Sequence, residues 1–161
     1  MTMTPTTART EFESYKHDLT DVTSTTFLYW CDYVNKMYYR FVEGVDSERL
    51  MSSPTFTVST SPTTSALPSD YKNMQGYGCG LYKRDASGAD TTNKLYRTGF
   101  GVTTEGFYIT STNIVFTGIT TSTTVVMRYI PSVTIIDGES DNFLIPDEYN
   151  KFLMDALDVC Y

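Results

Sequence analysis

The chain has one tryptophan, one histidine and three cysteines among 161 residues, and these scarcities remove most catalytic chemistries at the outset. His17, flanked by Lys16 and Asp18 near the end of an expected helix, has no second histidine to share a metal and no nucleophile beside it; a surface residue is expected. Cys31, Cys79 and Cys160 are odd in number and far apart in sequence. This fits neither a CxxC metal site nor a secreted disulfide framework, so reduced, at least partly buried thiols are expected. Basic charge is also short: 12 Lys and Arg stand against 19 Asp and Glu, a formal net charge of −7 with pI near 4.6. The cations are scattered, which argues against a surface that grips phosphates. No stretch approaches the length of a membrane span, and MTMTPTTARTEF has no basic region leading into an apolar run, so synthesis in the cytoplasm is expected.

What the chain does have is aromatic mass and threonine. Aromatics make up 14% of residues, with 13 Tyr and 9 Phe, enough large side chains to fill a core or an interface while keeping polar tips wet. Threonines recur in pairs such as Thr103-Thr104, Thr120-Thr121 and Thr123-Thr124, a usage that favours exposed β structure. At this length one domain with a genuine core is expected.

Periodicity orders the chain as helices, strands, helix. Thr4 followed by Pro5 predicts a cap and first turn opening a helix to about Asp18, with Phe12, Tyr15 and Leu19 as a thin apolar stripe. A second helix, capped by Ser24 or Thr25, should carry Phe27, Trp30, Cys31, Val34, Met37, Tyr38, Phe41 and Val42 as far as Gly44. From Phe56 the pattern shifts to short alternating runs, predicting strands at about 54–59, 77–83, 94–101, 105–110, 113–117 and 122–130. Tight turns are expected at Asp85-Ala-Ser-Gly88 and at Glu105-Gly106, and a polar run at 59–65. In the last strand Val125, Met127 and Tyr129 alternate with Val126, Arg128 and Ile130, and Pro131 should end it by removing a backbone donor. Pro146, Asp147 and Glu148 predict a strong helix start, after which Tyr149, Phe152, Leu153, Ala156, Leu157 and Cys160 recur at three- and four-residue steps. The expected fold is therefore α+β, with N-terminal helices and a C-terminal helix packed with a small antiparallel β-sheet or sandwich. A helical part at 1–50, a β part at 51–131 and an acidic loop with closing helix at 132–161 would make a single domain.

Two segments imitate sites. GYGCG at 76–80 has the glycines of a phosphate loop, but no Lys-Ser or Lys-Thr follows, so a strand with close backbone approach or a bulge is expected. Asp137, Glu139 and Asp141 stand two apart, with Glu148 eleven beyond Asp137, as in a calcium loop. Asn142 occupies the place that needs glycine and Pro146 breaks the loop, which favours a solvated turn. No catalytic, metal or cofactor residue is assigned.

TFLYWCDYVNKMYYRF at 26–41, FTVSTSPTTSALPSDY at 56–71, EGFYI at 105–109 and VVMRYIPSVTIIDGESDNFLIPDEYNKFLMDALDVCY at 125–161 follow one another in an order that resembles the head-to-tail connector proteins of tailed bacteriophages. The specific likenesses are ALPSDY at 66–71, where a strand run ends in Leu-Pro and an acidic-aromatic pair, and FLIPDEY at 143–149, where an acidic loop enters a Pro-initiated helix. The resemblance covers the chain from about Thr23, and it departs where such proteins often continue into an extended C-terminal arm. It implies a virion structural protein, not an enzyme, forming a homo-oligomeric adaptor ring, dodecameric by analogy, that binds the portal protein on one side and downstream neck or tail proteins on the other. Sequence-specific nucleic-acid binding and membrane contact are not expected, and the negative charge would let DNA pass an inner wall without sticking. Subunit or portal contacts are expected on the second helix at Trp30, Tyr33, Tyr38 and Tyr39 and on the closing helix at Tyr149, Phe152, Leu153 and Leu157. Two rivals remain, a tail-terminator or other tail protein and a receptor- or carbohydrate-binding surface module. The latter predicts exposed aromatics on loops.

Overall fold

The computed structural model describes residues 3–15, 18–60, 63–75, 78–84 and 90–161; His17, Gly76 and the Asp85–Gly88 turn lie outside the described residues. The fold is α+β, and the chain divides into two compact units. One is helical, built from Met1–Val45 and Val133–Tyr161; the other is β-rich and spans Asp46–Ser132.

In the helical unit, α1 (Pro5–Ser14) starts as the sequence predicts. The Thr4 hydroxyl accepts from the Thr7 N–H, and the Thr7 hydroxyl accepts from the Thr4 N–H at 2.9 Å, a reciprocal cap that satisfies two otherwise orphaned donors. The helix stops earlier than expected, so Leu19 is buried from beyond its end, and Tyr15 is exposed instead of joining the stripe. Arg9 holds the connection that follows, donating to the carbonyls of Leu19 (3.2 Å) and Val22 (2.8 Å) with its guanidinium over the Phe27 ring. The long helix α2 (Ser24–Val45) is capped one residue before the expected pair, where the Thr23 hydroxyl accepts from the Thr26 N–H at 3.1 Å. Its buried face is Phe27, Cys31, Val34, Asn35, Tyr38, Tyr39 and Val42. The closing helix α3 (Asn150–Cys160) is preceded by a 3-10 turn, Asp147–Tyr149, with Pro146 just ahead of it. The proline thus sets the approach and the α-helix begins four residues later. Leu153, Met154 and Leu157 enter the core.

The β unit contains β1 (Thr55–Val58), β2 (Thr63–Ala66), β3 (Tyr71–Asn73), β4 (Gly80–Arg84), β5 (Asp90–Leu95), β6 (Gly106–Ile109), β7 (Asn113–Thr117), β8 (Thr123–Arg128) and β9 (Ile130–Pro131). The pairings between these strands are antiparallel and form sheets of order β1-β8-β4-β5, β2-β7-β6 and β3-β9. Val58, Leu81, Leu95, Val125 and Met127 from the four-stranded sheet share one core with Phe107, Ile114 and Phe116 from the three-stranded sheet, the arrangement of a small sandwich.

Several strand expectations are corrected. The polar run at 59–65 supplies β2, because threonine and serine tolerate an edge position and Thr64 pairs with Val115 on the central β7. The expected 94–101 strand lies mostly earlier, as β5, and gives way to a loop from Tyr96 onward. The expected 122–130 strand divides at Tyr129, so that Ile130 and Pro131 pair with β3 and the proline is a strand member at an edge instead of a terminator. Val125, Val126, Met127, Tyr129 and Ile130 are all buried, so the two faces of that run differ little in burial. In the described part of GYGCG, Gly78 and Gly80 have φ of +79° and +147°, and Gly80 opens β4. At Gly118 (φ +64°) an added Cβ would lie 2.4 Å from the Glu105 backbone nitrogen, so glycine is required there on both counts.

Candidate functional site

The broadest candidate surface lies on α2. A 22-residue helix is about 33 Å long, and residues four apart lie one above the next along it. Tyr29, Tyr33, Met37, Phe41 and Val45 follow that step, and each is exposed, from 47% at Met37 to 69% at Tyr29. The helix therefore carries two apolar rows: one enters the core through Phe27, Cys31, Val34, Tyr38 and Val42, and the other faces out. With full side-chain areas of about 150–230 Å² each, the outer row exposes roughly 600 Å². That is the upper end of apolar patches on monomeric proteins and near the ~800 Å² each partner buries in an ordinary interface.

The residues expected at a contact separate accordingly. Tyr33, Tyr149 and Phe152 are exposed, and Trp30 is half-buried between Phe27 and Tyr161, with centroids at 6.1 and 6.3 Å. Tyr38, Tyr39, Leu153 and Leu157 are core residues of the helical unit, and Phe152 leans on Tyr38 at 6.2 Å. Met37 and Phe41, expected in the buried stripe, stand outside it. Helical spacing alone supports either row. The outer row is a strict four-residue step from Tyr29 to Val45, and a reading that gives the helix a single apolar stripe leaves both of those residues out.

Sequence reasoning also missed the polar fastening beneath this surface. Asn35 is fully buried; its amide donates to the Thr134 carbonyl at 3.0 Å and its oxygen accepts from the Leu144 N–H at 2.9 Å. One turn away, Asp32 accepts from the Ile136 N–H at 3.1 Å and from Lys36 Nζ at 2.5 Å. An Asn and an Asp inside an apolar helical run were the available signal. Together they fix the returning 134–144 segment against α2 and leave its buried backbone satisfied.

The acidic run is a turn. Asp141 Oδ2 accepts from the N–H groups of Gly138 (2.7 Å) and Asp137 (3.0 Å), and these bonds hold its pKa below the usual carboxylate value. Among the described residues no group of three His, Cys, Asp or Glu side chains is gathered to hold a metal. Burial, reinforced by nearby Cys160, pushes the Cys31 thiol up to about 12, so it is a neutral, unreactive thiol at ordinary pH. Among the described residues no helix is long and apolar enough to cross a membrane.

The β unit presents a second exposed aromatic site. Tyr96 and Phe100 lie on the β5–β6 loop, and Phe100, 89% exposed, rests edge-on against Tyr108 at 5.8 Å. The sequence showed this only as two aromatics in NKLYRTGF, which alternation assigned to a strand. Neither the protein-family models nor the curated proteins include a match to this chain.

Proposed function

We propose that the protein is a structural subunit that works by assembly: an adaptor of the head-to-tail connector type in a tailed bacteriophage virion, forming an oligomeric ring that joins the portal to the downstream neck or tail. The observation that carries this reading is the outward apolar row on α2, which exceeds what a solitary soluble helix needs to expose and has the shape of a ridge that fits between the side chains of a neighbouring helix. The connector-like order of segments from Thr23 onward supplies the specific setting. A ring requires two different complementary faces on each subunit. The row on α2 would be one, and the exposed Tyr149, just ahead of α3, and Phe152, on α3, would contribute to the other. We assign the protein no enzymatic activity and no cofactor.

Charge is consistent with protein neighbours. The helical unit holds five Lys and Arg against thirteen Asp and Glu, a net of −8, whereas the β unit holds seven against six, a net of +1. The acidic unit would repel DNA and favour partners that present basic loops.

Light scattering on the purified protein, alone and with the portal protein encoded beside it, tests the reading. A ring, or a monomer that assembles on the portal, is expected, and Tyr33→Ser with Phe41→Ser should reduce the assembled mass without unfolding the chain because both side chains are exposed. A monomer indifferent to the portal would transfer the protein to the tail-terminator or surface-binding alternatives.

A further inference from the structure

In the β unit a cavity of about 670 Å³ opens beside the β5–β6 loop, within the size range of small-molecule sites. Its apolar lining includes Phe100, Val102, Tyr108 and Ile119, and its polar lining includes Thr103 and Thr120. Among the described residues that line it, none is an Asp, Glu, Lys, Arg or His. The Thr103 and Thr120 side chains are exposed, and neither they nor the Tyr108 phenol make a hydrogen bond among the described residues.

The loop that forms one wall is built, not loose. At its start Thr98 donates through both its N–H (2.7 Å) and its hydroxyl (3.2 Å) to the Phe107 carbonyl, and the Phe107 N–H returns to the Tyr96 carbonyl at 3.1 Å. At its end the buried Thr117 hydroxyl donates to the Thr104 carbonyl at 2.9 Å, and Gly118 brings its backbone against that of Glu105. Between these anchors the Val102 N–H closes a turn on the Gly99 carbonyl, with Gly101 at φ +80°, and this turn carries Phe100 outward. A phenylalanine so exposed adds little to the sandwich core, yet a fixed loop presents it at the mouth of the cavity.

We infer that this cavity is a binding site for a neutral saccharide, whose C–H face lies on the Phe100 ring while its hydroxyls bond to Thr103, Thr120 and the Tyr108 phenol. The chemistry of the lining selects the class. Phosphorylated or carboxylated ligands would find no cation there. An apolar side chain from another protein would bury hydroxyls without partners, at about 1–3 kcal/mol for each group left unpaired. A pyranose offers both an apolar face and a rim of groups that donate and accept, matching rings flanked by hydroxyls that do the same. The anchored loop limits the ordering cost of binding. This site is independent of the α2 row and of assembly.

Saturation-transfer NMR on the full chain tests it with neutral oligomers of glucose, N-acetylglucosamine, galactose, mannose and xylose, and with an oligogalacturonate as the charged comparator. At least one neutral oligomer should show transfer to its ring protons, and the uronate should show none. Phe100→Ala should weaken that binding about tenfold and Thr103→Val about threefold, in variants whose amide spectra and light-scattering mass are unchanged. Silence across the neutral panel, equal binding by Phe100→Ala, or a Phe100→Ala variant whose only change is loss of self-association would each overturn the assignment; the last would make Phe100 a contact between copies.

Discussion

The two units satisfy their buried backbone by different means. The β unit does so mainly through main-chain ladders, with threonine hydroxyls such as Thr98 and Thr117 closing the places where ladders end. The helical unit takes back a distant segment that forms no ladder, and side chains do much of the fastening: Asn35 and Asp32 hold residues 134–144, which two single main-chain bonds, Thr6 N–H to the Glu139 carbonyl and Phe143 N–H to the Met3 carbonyl, also tie to the N-terminus, and Asn150 donates to the Glu11 carboxylate at 3.1 Å. A single side chain therefore carries more structural consequence in the helical unit, whereas in the β unit the sensitive positions are those where the backbone itself has no room.

The strongest way to break this contrast is Leu153→Asp with Leu157→Asp. Both leucines are essentially inaccessible, and each loses about 1.5–3 kcal/mol of apolar burial while a buried unpaired charge costs more, so the helical unit should fail to fold. Trp30 is the chain's one tryptophan, so its fluorescence reports that unit alone. Native emission with retained assembly would show that α3 does not carry the core.

A smaller but still large effect is expected from Asn35→Leu. It puts an apolar side chain at a buried position of the helix but orphans the Thr134 carbonyl and the Leu144 N–H, costing about 3 kcal/mol in all. At about 2–4 °C per kcal/mol, the transition read by Trp30 should fall by roughly 10 °C. A change under 2 °C, roughly, would mean that water replaces the side chain without loss and that the fastening is not structural.

In the β unit the matching probe is backbone space. Gly118→Ala puts a Cβ into a positive-φ residue and against the Glu105 nitrogen, at a cost of about 1–3 kcal/mol. Amide exchange should quicken in β6 and β7 while Trp30 emission stays native. Unchanged exchange there would remove the claim that this turn is sterically fixed.

How legible the molecule was follows the same division. Strong periodicity gave α2 and α3, and β-branched runs gave β1, β6, β7 and β8, because in each case local pattern and burial agree. β2 was hidden because its TTSA has no apolar alternation and exists by pairing with β7. β3 is three residues long, and the break at Tyr129 depends on which sheet accepts the chain on either side. The candidate surface was half legible: Tyr33 and Phe152 were named, but Tyr38, Tyr39, Leu153 and Leu157 share their spacing and face inward. Period alone does not say which of two apolar rows on one helix meets the core. The Phe100 loop was lost to a strand assignment that alternation favoured and Gly99 and Gly101 prevent.

Alkaline titration gives the finest comparison, because each unit buries a weak acid. In the β unit the Tyr129 phenol donates to Asp70 Oδ1 at 2.5 Å; burial first, then the neighbouring carboxylate, raises its pKa above the usual value near 10. In the helical unit Cys31 is raised from 9.0 to about 12. In both cases the folded state holds its proton more firmly than the unfolded state, so the stabilising contribution is complete below the unfolded pKa and is lost as pH rises toward the folded one. Stability of the helical unit should therefore begin to decline near pH 9 and continue to about 12, whereas the Tyr129 contribution begins to decline only near pH 10. Cys31→Ala should flatten the first slope as followed by Trp30, and Tyr129→Phe should flatten part of the second as followed by amide exchange in β8, with half-buried Tyr71 and buried Cys79, both raised by burial, contributing to the remainder. If Cys31→Ala leaves the helical slope unchanged, the alkaline loss in that unit comes from Cys160, whose thiol burial also raises, or from its many carboxylates repelling one another once the lysines discharge, and Cys31 has no part in it.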